Sequence, residues 1–66
     1  MRVSGYVVRE VAQAIRDPNH VHTVFSLVAV FKAAGLNRGP ALVRAALACL
    51  EEVGHAAVSG EAWSYK

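Results

Sequence analysis

Gly35 to Tyr65 reads GLNRGPALVRAALACLEEVGHAAVSGEAWSY, and its punctuation decides the fold. Pro40 suits the first position of a helix: its fixed φ is already helical, and its missing N–H would find no partner there. Gly39 is then the N-cap. Val43, Ala46, Leu47, Leu50 and Val53 recur at spacings of three and four, one apolar stripe at the helical period. Gly54 supplies the stop, because glycine enters the left-handed cap without a Cβ penalty. The period then changes. His55 to Val58 has β character, Ser59-Gly60-Glu61 is a turn, and Ala62-Trp63-Ser64-Tyr65 alternates. Alternation puts Trp63 and Tyr65 on one face of a strand.

Working toward the N-terminus, Gly35 also closes an apolar run. Val24, Phe25, Leu27, Val28, Ala29, Val30 and Phe31 leave almost no polar face. A helix that is apolar all round is buried on all sides. A 66-residue monomer has few places that deep. The run is therefore the expected subunit interface of a homodimer, through Val24, Phe25, Val28 and Phe31. A central strand is the alternative, since Val and Phe favour sheets. The helix is favoured because the run is long and lies between start and stop signals. Asp17 can cap it with Pro18 as first residue, or Thr23 can cap it with Val24 first. With the first cap it spans about 19–34. Upstream, Val7, Val8, Val11, Ala14 and Ile15 form an apolar face opposite Arg9, Glu10, Gln13 and Arg16. Ser4 can cap this first helix, which spans about 5–16 and stops before Pro18. Met1 to Gly5 is a short lead, about one strand long.

Helix, glycine stop and aromatic hairpin form the layout in which a winged helix-turn-helix domain ends. The residues Val43-Arg44-Ala45-Ala46-Leu47-Ala48-Cys49-Leu50-Glu51-Glu52-Val53-Gly54 resemble that family's recognition helix, with its V-x-x-x-L-x-x-L-E-E-x-G rhythm. The resemblance covers the last half of the chain well and the first half loosely. It implies three helices with a C-terminal two-stranded β-hairpin, an α+β fold that is mostly α, in a single domain over residues 1–66 with the wing at about 55–66. The turn Gly35-Leu36-Asn37-Arg38 holds a glycine, as such motifs often do. The chain departs from the family pattern at Phe31, where a small residue is usual. It departs again at Pro40-Ala41-Leu42, where Ser or Thr often contacts phosphate.

The resemblance also implies that the helix at about 40–53 enters a DNA major groove. Ala41, Arg44, Ala45 and Ala48 lie away from its core stripe. Arg44 is the long donor of that face, and arginine pairs bidentately with guanine O6 and N7. The alanines allow close approach, and alanine can contact a thymine methyl. Asn37 and Arg38 precede the helix, where a recognition helix meets the groove or its phosphates. Lys66 and the wing turn are placed to reach a neighbouring phosphate or the minor groove. The plainer readings are a solvated Arg44, a turn-forming Asn37, and a Trp63 and Tyr65 that pack on the helices rather than stack on bases. Glu51 and Glu52 oppose phosphate contact and lie at the negative end of the helix dipole. Only the N-terminal half of the helix is thus expected in a groove.

Composition bounds the rest. The chain is 55% hydrophobic, with seven Lys/Arg against five Asp/Glu and a net charge of +2. Electrostatically driven DNA binders show a denser basic patch. One cysteine excludes an internal disulfide. No basic stretch leads into an apolar run with a cleavage site. Val21 to Leu36 is too short for a membrane span and contains His22 and Lys32. A cytoplasmic setting is expected. No catalytic, metal or cofactor site is expected: His20, His22, Cys49 and His55 show none of the usual ligand spacings. Cys49, beside the core stripe, reads as an inert small hydrophobe. What the resemblance implies is sequence-specific binding of double-stranded DNA by a small transcription regulator. The alternative is an interaction module whose apolar second helix docks on a protein partner.

Overall fold

The computed structural model describes residues 3–66. Helices α1 (Gly5–Ile15), α2 (Val24–Ala33) and α3 (Pro40–Glu52) are followed by strands β1 (Ala56–Ser59) and β2 (Ala62–Tyr65). The fold is α+β and mostly α, with a C-terminal antiparallel hairpin. Of the lead segment, Met1 and Arg2 lie outside the described residues, Val3 and Ser4 have no regular structure, and Gly5 already belongs to α1.

Local chemistry sets most boundaries. α1 buries Val7, Val11 and Ile15, spaced by four, and stops before Asp17-Pro18. Pro40 opens α3 behind an extended Gly39, as its fixed φ requires. Both glycine stops close the helix by the same pair of bonds. At Gly35 (φ 79°), the Leu36 N–H reaches the Phe31 carbonyl at 2.9 Å and the Gly35 N–H reaches Lys32 at 3.0 Å. At Gly54 (φ 83°), His55 bonds to Leu50 at 2.8 Å and Gly54 to Glu51 at 3.0 Å. These are the paired bonds of a Schellman cap, which needs a left-handed residue after the helix.

The start of α2 differs from the longer expectation. Thr23, not Asp17, is the cap. Its hydroxyl accepts from the Ser26 N–H at 3.1 Å, and the Ser26 hydroxyl accepts from the Thr23 N–H at 2.8 Å, a reciprocal capping box. Asp17 is otherwise engaged. Its carboxylate accepts from the Asn19 N–H at 2.9 Å and pairs with His20 Nδ1 at 2.6 Å. Those contacts hold the Asp17 carboxyl below its ordinary pKa, the Asn19 amide contributing most. His22 cannot be helical because it bridges to Trp63 of β2, whose N–H donates to the His22 carbonyl at 2.7 Å. The buried His22 ring hydrogen-bonds through Nε2 to the Asp17 carbonyl at 2.7 Å. A carbonyl only accepts, so that nitrogen carries the proton.

The core joins every element. Val7, Val11 and Ile15 of α1 meet Leu27 and Phe31 of α2, then Val43, Ala46, Leu47 and Leu50 of α3, and Ala56 of β1. α3 is central, packing on α1, α2 and β1. In the hairpin, Ser59 pairs with Ala62 and Val58 with Trp63, leaving Gly60-Glu61 as the loop. Gly60 has φ 61° and Glu61 has a negative φ. A positive φ at the first loop position alone marks a type II′ turn, matched to the twist of the strands. Trp63 and Tyr65 share the inward face and pack half-buried against the core.

Several expectations about burial change. Phe31 is only 5% exposed within its own chain, so it is not available to a second copy. Val24 and Val28 are already packed against the core, which leaves Phe25, 70% exposed, as the free member of the expected dimer contact. The outward line Phe25, Ala29 and Ala33, spaced by four, shows that α2 is not buried all round. Val53 leaves the α3 stripe and is 67% exposed, because it sits at the C-cap where the chain turns away. Cys49 is exposed, one step round the helix from the buried stripe. Among the described residues, no helix is long and apolar enough to cross a membrane.

Candidate nucleic-acid interface

The outward face of α3 carries Ala41, Arg44 and Ala48 exposed, with Ala45 half-buried. The core stripe on the opposite side fixes this orientation, since Val43, Ala46, Leu47 and Leu50 are buried. Among the described residues, the ion pairs are His20–Asp17 and Arg38–Glu10, and the cation–π contacts are Arg16–Tyr65 and Arg38–Tyr6. Arg44 takes part in none of them. It stands in the second turn of α3 with alanines at one, three and four residues' distance, so a flat partner can approach the backbone closely.

Arg38 is engaged where Arg44 is free. Its Nε donates to Glu10 Oε1 at 3.0 Å and its Nη2 to Glu10 Oε2 at 3.4 Å. The guanidinium lies 5.6 Å from the Tyr6 ring centroid, and the side chain is only 17% exposed. The bidentate carboxylate holds Arg38 above its already high pKa. Arg38 thus ties the turn between α2 and α3 down onto α1, and its charge is neutralised there rather than offered to phosphate.

Lys66 is displaced in a different way. Its N–H donates to the His55 carbonyl at 3.1 Å, at the open end of the hairpin beside the C-terminal stop of α3. At roughly 3.4 Å per strand residue, it lies about 15 Å along β2 from the turn. The turn itself carries Glu61 and no cation. Lys66 and the hairpin tip therefore do not form one contact surface. Arg16 is engaged as well: its Nη2 donates to the Tyr65 hydroxyl at 2.9 Å, with the guanidinium 4.4 Å from the ring centroid. The His55 ring stacks on Tyr65 at 6.2 Å and 5°. Together with His22–Trp63, these contacts fasten the hairpin to α1 and to the segment before α2.

Two grooves flank the face. One, about 540 Å³, runs between the end of α2 and the start of α3, with Asn37 and Lys32 on its rim and Val28 and Leu36 in its wall. Asn37 is exposed there, and Lys32 joins it. Lys32 was not singled out by the sequence. Its place in the last turn of α2, just before the turn, is the signal that points to it. The other groove, about 330 Å³, lies between the start of α2, the second turn of α3 and the hairpin tip. Phe25, Val24, Val58 and Trp63 line it, and Arg44 and Glu61 stand in it with opposite charges and no ion pair between them. Sequence reasoning missed this groove, because only the folded-back hairpin brings Glu61 and Trp63 to Arg44.

The residues once considered as metal ligands are engaged apart from one another. His20 binds Asp17, His22 faces the Asp17 carbonyl, His55 stacks on Tyr65, and Cys49 is on the surface of α3. Among the described residues, no three His, Cys, Asp or Glu gather closely enough to hold a metal ion. No protein-family model matches the chain, and neither a curated protein nor a solved structure matches it.

Proposed function

We propose that the chain is a winged helix-turn-helix DNA-binding domain of a small regulator, with α3 as its reading element. One observation carries the reading: Arg44, in no ion pair among the described residues, stands on an outward face of α3 whose other members are alanines. Element order supports it: α2, a glycine-closed turn, α3, and a hairpin fastened back by His22 and Arg16. Arg44 would read a guanine through O6 and N7, Ala41, Ala45 and Ala48 would allow close approach, and Asn37 with Lys32 would meet the backbone beside the N-terminus of α3. Arg38 and Lys66 have no part in this contact set.

A gel-shift titration of duplex DNA over a range of salt tests the reading. Arg44 and Lys32 belong to no ion pair among the described residues, so about two phosphates are neutralised by them, and log K should fall with log salt at a slope near −2. Affinity that is absent at low salt, or unchanged by salt, removes the reading. Docking of a protein partner on the outward face of α2 would then lead, since Phe25, Ala29 and Val30 are apolar and exposed there.

A further inference from the structure

We infer that the groove between α3 and the hairpin tip receives an unpaired guanine base of the bound DNA, held by Arg44 and Glu61 and stacked against Phe25 and Trp63. This rests on the DNA-binding reading and specifies the form of DNA that the same face takes.

The groove combines features that a paired base cannot use. Its wall is aromatic and aliphatic, with Phe25 from α2 and with Trp63 and Val58 from the hairpin. Aromatic side chains stack on the face of a base, and a base inside a duplex has no free face. Its two charged residues are of opposite sign, and neither belongs to an ion pair among the described residues. A ligand that offers two acceptors on one edge and two donors on another would join them. Guanine is that base. Its O6 and N7 accept from the arginine fork, and its N1–H and exocyclic amino group donate side by side to a carboxylate. Adenine lacks the O6 acceptor. Cytosine and thymine do not offer both bidentate edges. In a duplex, the N1–H of guanine is consumed by cytosine, so Glu61 can take part only when the base is unpaired.

Glu61 also makes the inference more economical than a duplex-tracking wing. A carboxylate at the hairpin tip repels phosphates, and no Lys or Arg lies on the tip to offset it. Facing an extruded guanine, the same carboxylate has a donor partner, and the energetic cost of extrusion is smallest where the base is already unpaired. The groove, at about 330 Å³, is of the size that single-ligand pockets have. Because Arg44 belongs both to the outward face of α3 and to this groove, a strand lying on α3 has its neighbouring bases beside the opening.

Trp63 is the chain's only tryptophan, so its emission reports on the groove directly. The test titrates the full chain with three duplexes of one sequence: fully paired, with a bulged guanine, and with a bulged thymine. The bulged guanine should bind about tenfold or more tighter than the bulged thymine, the scale that a bidentate base contact sets, and should quench Trp63. Glu61→Gln should erase the preference for guanine over thymine without weakening affinity for the paired duplex, and exposed Phe25→Ala should weaken both bulged duplexes. The same guanine bulge in an RNA duplex should bind more weakly, because the A-form major groove does not admit α3. Equal affinity for the two bulges, or unchanged Trp63 emission at saturation, overturns the inference. If the paired duplex still binds with its salt dependence, the DNA-binding reading stands without it. If none of the DNAs binds, both fall.

Discussion

Arg38 and Arg44 lie six residues apart and should fail in opposite ways when truncated. Arg44 is exposed and unpaired among the described residues. Its replacement by Ala on an exposed helix face should change stability by no more than about 0.5 kcal/mol. If its guanidinium reads a guanine, the same change costs about 1–3 kcal/mol on the preferred site. At about 1.4 kcal/mol per decade, that is roughly a 5- to 150-fold weaker complex. Random duplex should lose much less. Arg38→Ala should do the reverse. It removes two hydrogen bonds to Glu10 at 3.0 and 3.4 Å and the guanidinium beside Tyr6, leaving the Glu10 carboxylate on α1 half-buried and unpaired. The turn between α2 and α3 then loses its tie to α1, so the thermal midpoint falls while binding per folded molecule is unchanged. Thermal circular dichroism reads the first quantity, and gel shift corrected for the folded fraction reads the second. An Arg38→Ala protein with an unchanged midpoint and uniformly weaker binding to all DNA would make Arg38 a phosphate contact and refute this assignment. An Arg44→Ala protein that binds its best site as tightly as wild type would remove α3 as the reading element.

Two further outcomes follow from the loop before α2. Thr23→Ala removes the cap hydroxyl bonded to the Ser26 N–H and should cost about 1 kcal/mol, a fall of roughly 4–8 °C in midpoint for a domain this small. A midpoint within a degree of wild type would show that the cap is not what starts α2. The Asp17 carboxyl has a pKa below its unfolded value, so its contribution is present above about pH 4 and is lost as pH falls through the folded pKa. Wild-type stability should therefore drop on acidification below pH 4, and Asp17→Asn should be less stable near neutrality with a flatter acid limb; parallel acid limbs would contradict this.

The parts of the fold that were legible in the sequence are those set by one or two neighbouring residues. Pro40 could only open a helix, and Gly35 and Gly54 could only close one, because the left-handed cap excludes most other residues. The β-hairpin was legible from the change of period after Gly54 and from the alternation that placed Trp63 and Tyr65 together. The start of α2 was not. Asp17 and Thr23 are both good caps locally, and the choice falls to Thr23 because His22 must be extended to bridge Trp63, forty-one residues away in the chain. The ion pair of Arg38 was not legible for the same kind of reason: its partner Glu10 is twenty-eight residues upstream, on a helix whose packing angle no local pattern reveals. Phe31 fits an all-apolar helix in sequence, yet it is buried in the shared core while Phe25 and Ala29 stay outside. Periodicity gives the facing of residues around one helix. It does not say how far a neighbour extends over that face.

The cations illustrate what this costs an electrostatic reading of composition. Seven Lys and Arg give the chain a net charge of +2, but the number that can meet a phosphate depends on where the fold uses them. Arg16 is consumed in holding Tyr65 and Arg38 in holding Glu10, while Lys66 sits at the far end of the hairpin from its turn. Of the other described cations, Arg9 lies on α1, while Arg44 stands on the exposed face of α3 and Lys32 in the last turn of α2. A surface with so few phosphate contacts cannot hold DNA chiefly by counterion release, which gives affinity without selectivity. If the domain binds DNA as proposed, its binding energy must come from close approach and base contact, for which the alanines beside Arg44 and the aromatic groove beside the hairpin are suited. A complex of this domain should therefore be weak on arbitrary DNA, shallow in its salt dependence, and strongly dependent on the base that Arg44 meets.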